Sequence, residues 1–214
     1  MWGCGPTAPN SRPAPALRSD RRGRPERPVR PWLEEAALAL VGERGPHGFT
    51  LAEACRRAGV SLSAPYKHFA DREALLASLA LKGYQEQRRR YRTTLAAHTA
   101  PAEQLAAFAV AYVRFAAEER ALFDITFLAG LDKNRHPELA RAGSALHDDL
   151  MPVTREIAPD PDEAFGLLVQ VAAAAHGLAL FQQQDMLPGP WNTNSSVEEQ
   201  AARTARALAG RRAH

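Results

Sequence analysis

The sequence predicts an all-α fold with a small N-terminal domain of three helices, including a helix-turn-helix, and a larger helical C-terminal domain. Two observations predict it. Apolar residues recur at helical spacing almost without a break from Trp32 onward, and Gly, Pro and capping residues divide the pattern into separate helices. The 214 residues, 45% of them apolar, are enough for a real core. We expect a disordered basic tail over 1–30, the small domain over 31–82 and the large domain over 83–214.

The composition limits where the protein can act. No apolar run approaches the roughly 18–20 residues of a membrane span, and the N-terminus carries arginine and proline where a signal peptide would be apolar. We therefore expect a cytoplasmic protein that makes no membrane contact. The two cysteines, Cys4 and Cys55, form no C-x-x-C pair, so neither a disulfide nor a zinc site is expected.

The predicted tail is strongly basic. It holds seven arginines against Asp20 and Glu26, a net charge of +5, and the rest of the chain is −2 because the total is +3. The arginines are Arg12, Arg18, Arg21, Arg22, Arg24, Arg27 and Arg30. A mobile arm of this composition can neutralise phosphates or enter a minor groove. The alternatives are a solvated tail or extra residues from an upstream start codon.

Three short helices are predicted in the small domain. The first runs from Trp32 to about Arg44, and Thr50 and Glu53 form a capping box for the second, over about Leu51 to Arg57. Gly59 suits the tight turn that follows, and Ser61 is the expected cap of a third helix of about two turns, which we call the recognition segment (residues 61–69). Two short helices joined by a glycine-containing turn indicate a helix-turn-helix.

A helical wheel predicts which side of the recognition segment faces outward. It places Leu62, Pro65 and Phe69 toward the core, and the opposite side is small and polar, as a major-groove helix requires. Lys67 can donate to guanine, Ser63 can donate or accept, and the Ala64 methyl can meet a thymine methyl. Tyr66 and His68 at the edges are suited to phosphates. Pro65 should cost less than a mid-helix proline, since only the first intrahelical bond is lost there.

These residues carry a resemblance to a known family. The stretch TLAEACRRAGVSLSAPYKHFADREALLASLA resembles the DNA-binding domain of TetR (tetracycline-repressor-like) transcriptional regulators over about residues 33–82, and the alternative is an unrelated three-helix module. The resemblance implies a homodimeric regulator of double-stranded DNA, most simply a repressor on a palindromic operator, with an unknown small-molecule effector. It implies DNA contacts by Thr50, Ser61, Ser63, Ala64, Pro65, Tyr66, Lys67, His68 and Arg72. Arg72 stands where the family usually has lysine, and we expect it to pair with phosphate.

The charge of the small domain qualifies this interpretation. Residues 32–82 contain six basic and six acidic side chains, so the domain is neutral, whereas DNA affinity comes largely from phosphate neutralisation. Either its basic residues cluster on one face or the tail supplies the attraction. A fourth helix, capped by Asp71, should continue to about Tyr91, where four arginines (88, 89, 90 and 92) indicate a solvated or inter-domain face.

Further helices are predicted for the large domain. The first begins at Pro101, and the second is the run ALFDITFLAG. The third covers about 137–150, is interrupted at Pro152 and continues to Ala158. The last two cover 161–183 and 197–211. The last two should form a four-helix dimer interface. AAAAHGLALF resembles the His-Gly element of one TetR subgroup, which commonly has tryptophan where this chain has Ala172. His176 is a core or interface histidine, or else a ligand group or pH sensor.

Candidate effector contacts are apolar and aromatic residues of the large domain, which a plain core would also use. They are Phe108, Tyr112, Phe123, Phe127, Met151, Phe165 and His176. The cluster HDD (147–149) does not predict a metal, because adjacent helical residues point in different directions. No hydrolase, P-loop or metalloprotease motif is present, so we expect neither catalysis nor a cofactor. A constitutive architectural DNA-binding protein remains the alternative.

Overall fold

The computed structural model describes residues 29–186 and 195–211. This part of the chain forms eight α-helices and one short 3-10 helix, with no β-strand in these two ranges. The helices are α1 (Val29–Arg44), α2 (Leu51–Ala58), the 3-10 helix (Pro65–Lys67), α3 (Arg72–Ala96), α4 (Pro101–Glu118), α5 (Arg120–Leu128), α6 (Pro137–Ile157), α7 (Pro161–Gln183) and α8 (Val197–Gly210). Most of the predicted tail and of the loop LPGPWNTNSS lies outside the described residues.

Local signals set the helix ends of the N-terminal domain. Thr50 caps α2 through its hydroxyl, which accepts from the Glu53 amide at 3.2 Å, while the Glu53 carboxylate accepts from the Thr50 amide at 2.8 Å. Gly59 ends α2 at φ 66°, a left-handed conformation that suits glycine. The Asp71 carboxylate accepts from the Ala74 amide at 2.8 Å and so caps α3. The predicted caps at these three positions are confirmed.

A buried carboxylate fixes α1 against α3. Glu34, 3% exposed, accepts from Lys82 at 2.5 Å and from Ser78 at 2.8 Å, and Arg30 lies 3.2 Å from the same carboxylate. These bonds hold the pKa of Glu34 below its usual value, although burial opposes them as the largest single influence. The helix α1 begins at Val29 and so includes Arg30, although residues 1–30 were expected to be a disordered tail.

The recognition segment is not the two-turn α-helix that the sequence predicted. Pro65 has no amide hydrogen, so the Ser61 carbonyl accepts instead from Ala64 at 3.1 Å, a three-residue bond. Further bonds of this type run from Lys67 to Ala64 (3.4 Å) and from His68 to Pro65 (2.8 Å). The result is one 3-10 turn, Pro65–Lys67. The proline that appeared tolerable in an α-helix decides the local geometry here.

Two expectations that depended on that α-helix fail with it. Leu62 is 59% exposed and does not face the core, whereas Pro65 and Phe69 are buried as predicted. Leu62 lies in a turn before the 3-10 helix, so the 100° step of an α-helix does not predict the direction of its side chain. Ser61 does not cap a helix: its hydroxyl lies 3.2 Å from the Ser63 hydroxyl.

The helix α3 belongs to both domains. Its 25 residues span about 37 Å, and its start packs against the N-terminal domain while its later turns pack against α4, α5 and α6. Gly83 permits the close approach of α5, because a Cβ there would collide with the Thr126 hydroxyl. Arg88 and Arg92 both bind Asp149 of α6, and Arg90 binds Glu118 of α4, so three of the four arginines predicted on a solvated or inter-domain face connect helices.

The C-terminal domain is built around α4, which packs against α3, α5, α6, α7 and α8. Its core includes a cluster of aromatic rings: Tyr91–Phe108 and Phe123–Phe127 lie 4.8 and 5.0 Å apart between ring centroids. The helix α6 runs through Pro152 without the predicted interruption. Buried Leu150 and Val153 on either side of the proline hold the helix against the core, which compensates for one missing backbone bond.

One helix is more apolar than predicted, because no apolar run was expected to approach the length of a membrane span. An 18-residue window of α7 (Pro161–Gln183) has a mean hydropathy of 1.8, and only 33% of that window is buried. Length and composition alone would therefore allow α7 to cross a membrane. In the structure α7 packs against α4, α6 and α8, and its outer face carries the half-exposed apolar side chains Phe165, Val169 and Phe181.

Candidate DNA-binding surface and effector cavity

The recognition segment presents an exposed, mainly polar surface. Tyr66 is 66% exposed, and Lys67 and His68 beside it are also exposed. Thr50, Ser61 and Ser63 are exposed too, and Ala64 is partly exposed. Seven of the nine residues predicted to contact DNA therefore have accessible side chains, and exposed Leu62, which the wheel missed, adds an apolar contact surface to them. The DNA-binding role of these residues stays a prediction.

Pro65 and Arg72 lie differently from the other seven. Pro65 is buried in the core of the N-terminal domain. The Arg72 guanidinium donates to the Pro46 carbonyl and lies 4.8 Å from the centroid of the Phe49 ring. Burial lowers the pKa of Arg72. In this conformation Arg72 holds the α1–α2 loop in place and does not point outward to a phosphate.

Most charged side chains of the N-terminal domain are already paired. Arg57 binds Glu43 at 2.5 Å, and Arg44 binds Glu53 at 3.0 Å. Within the described residues 29–82, Arg56 and Lys67 have no acidic partner within 4 Å. Lys67 is thus the unpaired cation of the recognition segment.

A cavity of about 380 Å³ lies between α3, α4, α5, α6 and α7. Of the seven predicted effector contacts, it brings together Phe108, Tyr112 and Phe127. Tyr84, Gln87, Tyr91, Thr126, Gly130, Leu131, Lys133, Leu139, Gly143, Leu146, His147, Leu150, Leu168 and Ala172 complete its lining. Ala172, where the resembling subgroup commonly has tryptophan, thus belongs to the cavity wall.

Four predicted effector contacts lie outside this lining. Phe123 is fully buried behind the wall, and Met151 packs against the core. Phe165 is 50% exposed on the outer face of α7. His176 stands behind Tyr112, whose hydroxyl forms a 2.9 Å hydrogen bond with His176 Nδ1. Burial lowers the pKa of His176, which favours the neutral form of its ring.

The sequence interpretation missed the contribution of α3 to the cavity. Tyr84, Gln87 and Tyr91 recur at spacings of three and four on one face of α3. This helical signal is present in the sequence beside the run of arginines. All three are buried. The Tyr91 hydroxyl donates to Gln87 Oε1 at 3.2 Å, and burial raises the pKa of Tyr91 well above its usual value. No spacing rule could have shown that the α5–α6 loop also reaches this cavity.

The loop between α5 and α6 (residues 129–136) touches both the cavity and the N-terminal domain. Gly130, Leu131 and Lys133 line the cavity. Two residues further on, Arg135 binds Asp71, the cap of α3, at 3.0 Å, and also pairs with Glu73 in the first turn of α3. The Ala74 amide and then Arg135 hold the pKa of Asp71 below its usual value, against the effect of burial. The same loop therefore borders a cavity and holds the helix that follows the recognition segment.

A second contact joins the two domains at this point. His47, in the α1–α2 loop, forms a 3.3 Å hydrogen bond with the Leu128 carbonyl at the end of α5. The neighbouring Pro46 carbonyl accepts from Arg72 at the start of α3. The α1–α2 loop thus lies between the end of α5 and the start of α3.

A wider groove of about 570 Å³ lies between α3, α4 and α8. It is rich in arginine, but Arg90 pairs with Glu86 and Glu118, and Arg206 pairs with Glu103 at 2.8 Å. These pairs neutralise much of the groove's charge, and among its described arginines Arg114 has no acidic partner within 4 Å. No group of three or more metal-ligating side chains occurs among residues 29–186 and 195–211.

Comparison with known families agrees with this architecture. The family described as "Bacterial regulatory proteins, tetR family" matches residues 33–79, and "Tetracyclin repressor-like, C-terminal domain" matches residues 105–206. The chain belongs to the tetR family. The match confirms the predicted fold, family and helix-turn-helix. Proteins of this family are DNA-binding transcriptional regulators that act as dimers and respond to small-molecule effectors.

Several solved structures are similar to this tetR-family chain. One is a protein with unknown function from Rhodococcus sp. RHA1, which is 26% identical and has a TM-score of 0.71. The alignment covers 92% of this chain and 100% of that one. FadR from Bacillus subtilis, solved with stearoyl-CoA, is 14% identical with TM-score 0.66 over 83% and 96% of the two chains. PfmR from Thermus thermophilus is 18% identical with TM-score 0.58 over 83% and 96%. The last two show the shared fold. No curated protein sequence matches the chain.

Proposed function

We propose that this tetR-family protein is a ligand-responsive, homodimeric repressor in the cytoplasm, released from a palindromic operator by a small-molecule effector. The α5–α6 loop carries the proposal, because it lines the cavity with Lys133 and pairs with the cap of α3 through Arg135. A ligand that moves this loop would act directly on the helix next to the recognition segment. A differential affinity of a few kcal/mol between two arrangements is sufficient for such control.

Recognition of DNA follows from the exposed surface of the N-terminal domain. Two copies of the recognition segment would enter major grooves about 34 Å apart, as helix-turn-helix dimers do. Lys67 would donate to a base edge, while Tyr66 and His68 would bind phosphates. We assign residues 31–82 to this domain and 83–214 to effector binding and dimerisation, and α1 extends the first of these to Val29.

The dimer interface is proposed on α7 and α8. Phe165, Val169 and Phe181 expose apolar area along the outer face of α7, and only a third of its most apolar window is buried within one chain. A second copy of α7 and α8 would cover this face and form a four-helix interface. This also explains a helix of membrane-like hydropathy in a DNA-binding protein.

The basic tail is proposed to supply part of the attraction to phosphate. Six of its seven arginines precede Val29, whereas among residues 29–82 the arginine and lysine side chains without an acidic partner are Arg56, Lys67 and Arg72, the last of which is bonded to a backbone carbonyl. Phosphate neutralisation governs DNA affinity and its dependence on salt. A tail that binds DNA would therefore raise the salt slope, and a solvated tail would leave it unchanged.

The test is operator binding by fluorescence anisotropy. The probe is DNA from upstream of the protein's own coding sequence, with scrambled DNA as competitor, at several salt concentrations, for the full chain and for the chain without residues 1–28. Specific binding to two half-sites supports the proposal, and a shallower slope in the shortened chain assigns the tail to DNA. Weak binding that scrambled DNA competes away would mean either a distant operator or the architectural alternative, and selection from random sequences would distinguish them, since only the first recovers a preferred site.

A further inference from the structure

Gln87 brings an unpaired hydrogen-bond donor to the effector cavity. Its side chain lies on α3, lines the cavity and is 0% exposed. Its Oε1 accepts from the Tyr91 hydroxyl at 3.2 Å, but its Nε2 is buried without a partner among the described residues. Buried polar groups are almost always hydrogen-bonded, so an orphaned amide nitrogen beside a cavity indicates a missing partner.

The orientation of the Gln87 amide follows from its neighbour. Tyr91 is 1% exposed, and Gln87 is the acceptor that the structure gives its hydroxyl within the described part of the chain. Turning the amide over would place an N–H group against this hydroxyl and leave the phenolic hydrogen without an acceptor. Oε1 therefore belongs to Tyr91, and the two N–H groups remain for another partner.

Apart from the hydroxyl of Tyr84, a second neutral polar group on α3, the buried rest of the wall is apolar or already bonded. Phe108, Phe127 and Leu168 supply ring and aliphatic surface. The Thr126 hydroxyl donates to the Leu122 carbonyl at 2.7 Å, and the Tyr112 hydroxyl is bonded to His176. Among the residues that the structure describes, no carboxylate lines the cavity, and the side chains of Lys133 and His147 are exposed to solvent. The buried wall thus offers apolar contact and neutral donors, the Gln87 amide and the Tyr84 hydroxyl, with no buried charge.

We infer that the cavity binds an apolar small molecule through a neutral acceptor oxygen, a ketone, ester or lactone carbonyl, held by Gln87 Nε2. This inference deepens the proposed function and rests on its assignment of the cavity to the effector. A buried carboxylate would receive only neutral donors in exchange for its hydration, which is strongly unfavourable. A cation would find no anionic partner in the described wall. The size of the cavity suits a compact ligand with one ring or a short chain.

Four probes with the same phenyl body test the inference: 4-phenylbutan-2-one, butylbenzene, 4-phenylbutanoate and 4-phenylbutylamine. Their affinities are measured by calorimetry on the full chain and on Gln87→Met, which keeps the length of the side chain and removes its donor. We expect the ketone to bind the unaltered chain about three- to tenfold more tightly than the hydrocarbon, the contribution of one neutral hydrogen bond. In Gln87→Met this preference should fall below about twofold.

The control is Gln85→Met, an exposed position on the same helix, which should keep the full preference for the ketone. If Gln87→Met does not fold, Gln87→Met with Tyr91→Phe replaces it, because removing both partners leaves neither polar group unpaired. Any of four results would overturn the inference. They are equal affinity for ketone and hydrocarbon, a preference for the ketone that survives loss of Gln87, tighter binding of the acid or the amine, and no binding of any probe by the folded chain. Operator binding is assayed separately, so a failure of the regulatory role remains distinguishable from a failure of the ligand class.

Discussion

At the scale of single residues, Lys67 has the position that DNA recognition requires. It is exposed on the 3-10 turn, and no carboxylate within the described residues pairs with it. Two other basic side chains of the N-terminal domain are engaged, Arg72 with a backbone carbonyl and Arg57 with Glu43. Base contacts in this protein should therefore depend on Lys67 more than the neutral net charge of the domain indicates.

We expect Lys67→Ala to weaken specific operator binding by about 1–3 kcal/mol, since a good base contact provides that much discrimination. Anisotropy titrations with operator and scrambled DNA measure the effect. Arg155→Ala, an exposed position on α6, serves as the control and should leave the ratio of the two affinities unchanged. Unaltered specificity in a variant that combines Lys67→Ala with Tyr66→Ala would contradict the assignment.

At the scale of helices, Asp149 joins α6 to α3. Its carboxylate accepts two hydrogen bonds from Arg88, at 2.7 and 3.1 Å, and two from Arg92, at 3.0 and 2.9 Å. The hydrogen bonds from Arg88, the largest influence, and from Arg92 together hold the pKa of Asp149 down to about 2, against burial, whose opposing effect is smaller than that of Arg88 but larger than that of Arg92. The folded state therefore favours the ionised carboxylate more than the unfolded chain does.

We expect Asp149→Asn to lower the free energy of unfolding by about 1–3 kcal/mol at pH 7, the range for charge-assisted hydrogen bonds. Because the folded pKa is depressed, this contribution is present above pH 3.8 and is lost as the pH falls toward about 2. Urea denaturation at pH 7, 4 and 3 tests it, with exposed Asp148→Asn as the matched control. A difference between wild type and Asp149→Asn that does not shrink in acid would refute the role of the ionised group.

The α5–α6 loop makes a second prediction at this scale. Arg135 is half exposed, so its ion pairs with Asp71 and Glu73 should contribute little to overall stability. With His136, whose Nε2 lies 3.4 Å from the Glu73 carboxylate, they are nevertheless the contacts through which this cavity-lining loop holds the start of α3. We expect these ion pairs to couple ligand binding in the cavity to the position of the N-terminal domain.

We expect Arg135→Ala to keep cavity binding and operator binding but to lose most of the connection between them, a coupling of about 1–3 kcal/mol. The measurement is the operator dissociation constant with and without the compound that releases the wild-type protein. Arg141→Ala, exposed on α6, should retain the wild-type ratio. Full release of Arg135→Ala by the same compound would show that coupling follows another route.

At the scale of the whole molecule, one chain leaves an apolar face uncovered on α7. Phe165, Val169 and Phe181 are each close to half exposed, and a tetR-family protein acts as a dimer. Burying such a face on a second copy supplies the hydrophobic free energy that holds two DNA-binding domains at a fixed spacing. Dimerisation and operator binding should therefore fail together.

We expect Phe165→Glu to convert the dimer into a folded monomer and to weaken operator binding by at least about tenfold, because each half-site is then bound singly. Sedimentation velocity gives the mass, circular dichroism checks the helix content, and Gln85→Glu at an exposed position of α3 is the control. A dimeric Phe165→Glu would mean that the interface lies on another face.

The sequence by itself determined the helical architecture and most helix ends. Thr50 with Glu53, Gly59 and Asp71 act on backbone groups within four residues of themselves, and Pro101, Pro137 and Pro161 each stand at the first position of a helix. Such signals are local, so they can be recognised in the sequence alone. The motif order of residues 49–76 sufficed for the family for the same reason.

Tertiary structure decided which side chains meet. Gln87 and Tyr91 face the cavity, Arg135 reaches Asp71 64 residues away, and Arg72 turns toward Pro46, since each depends on how separate helices pack. The 3-10 form of the recognition segment arises more locally, from the missing amide of Pro65, but its outward Leu62 could not be expected from an α-helical wheel. Helical periodicity identifies a buried face of each helix, and the contacts across that face are fixed only by packing in three dimensions.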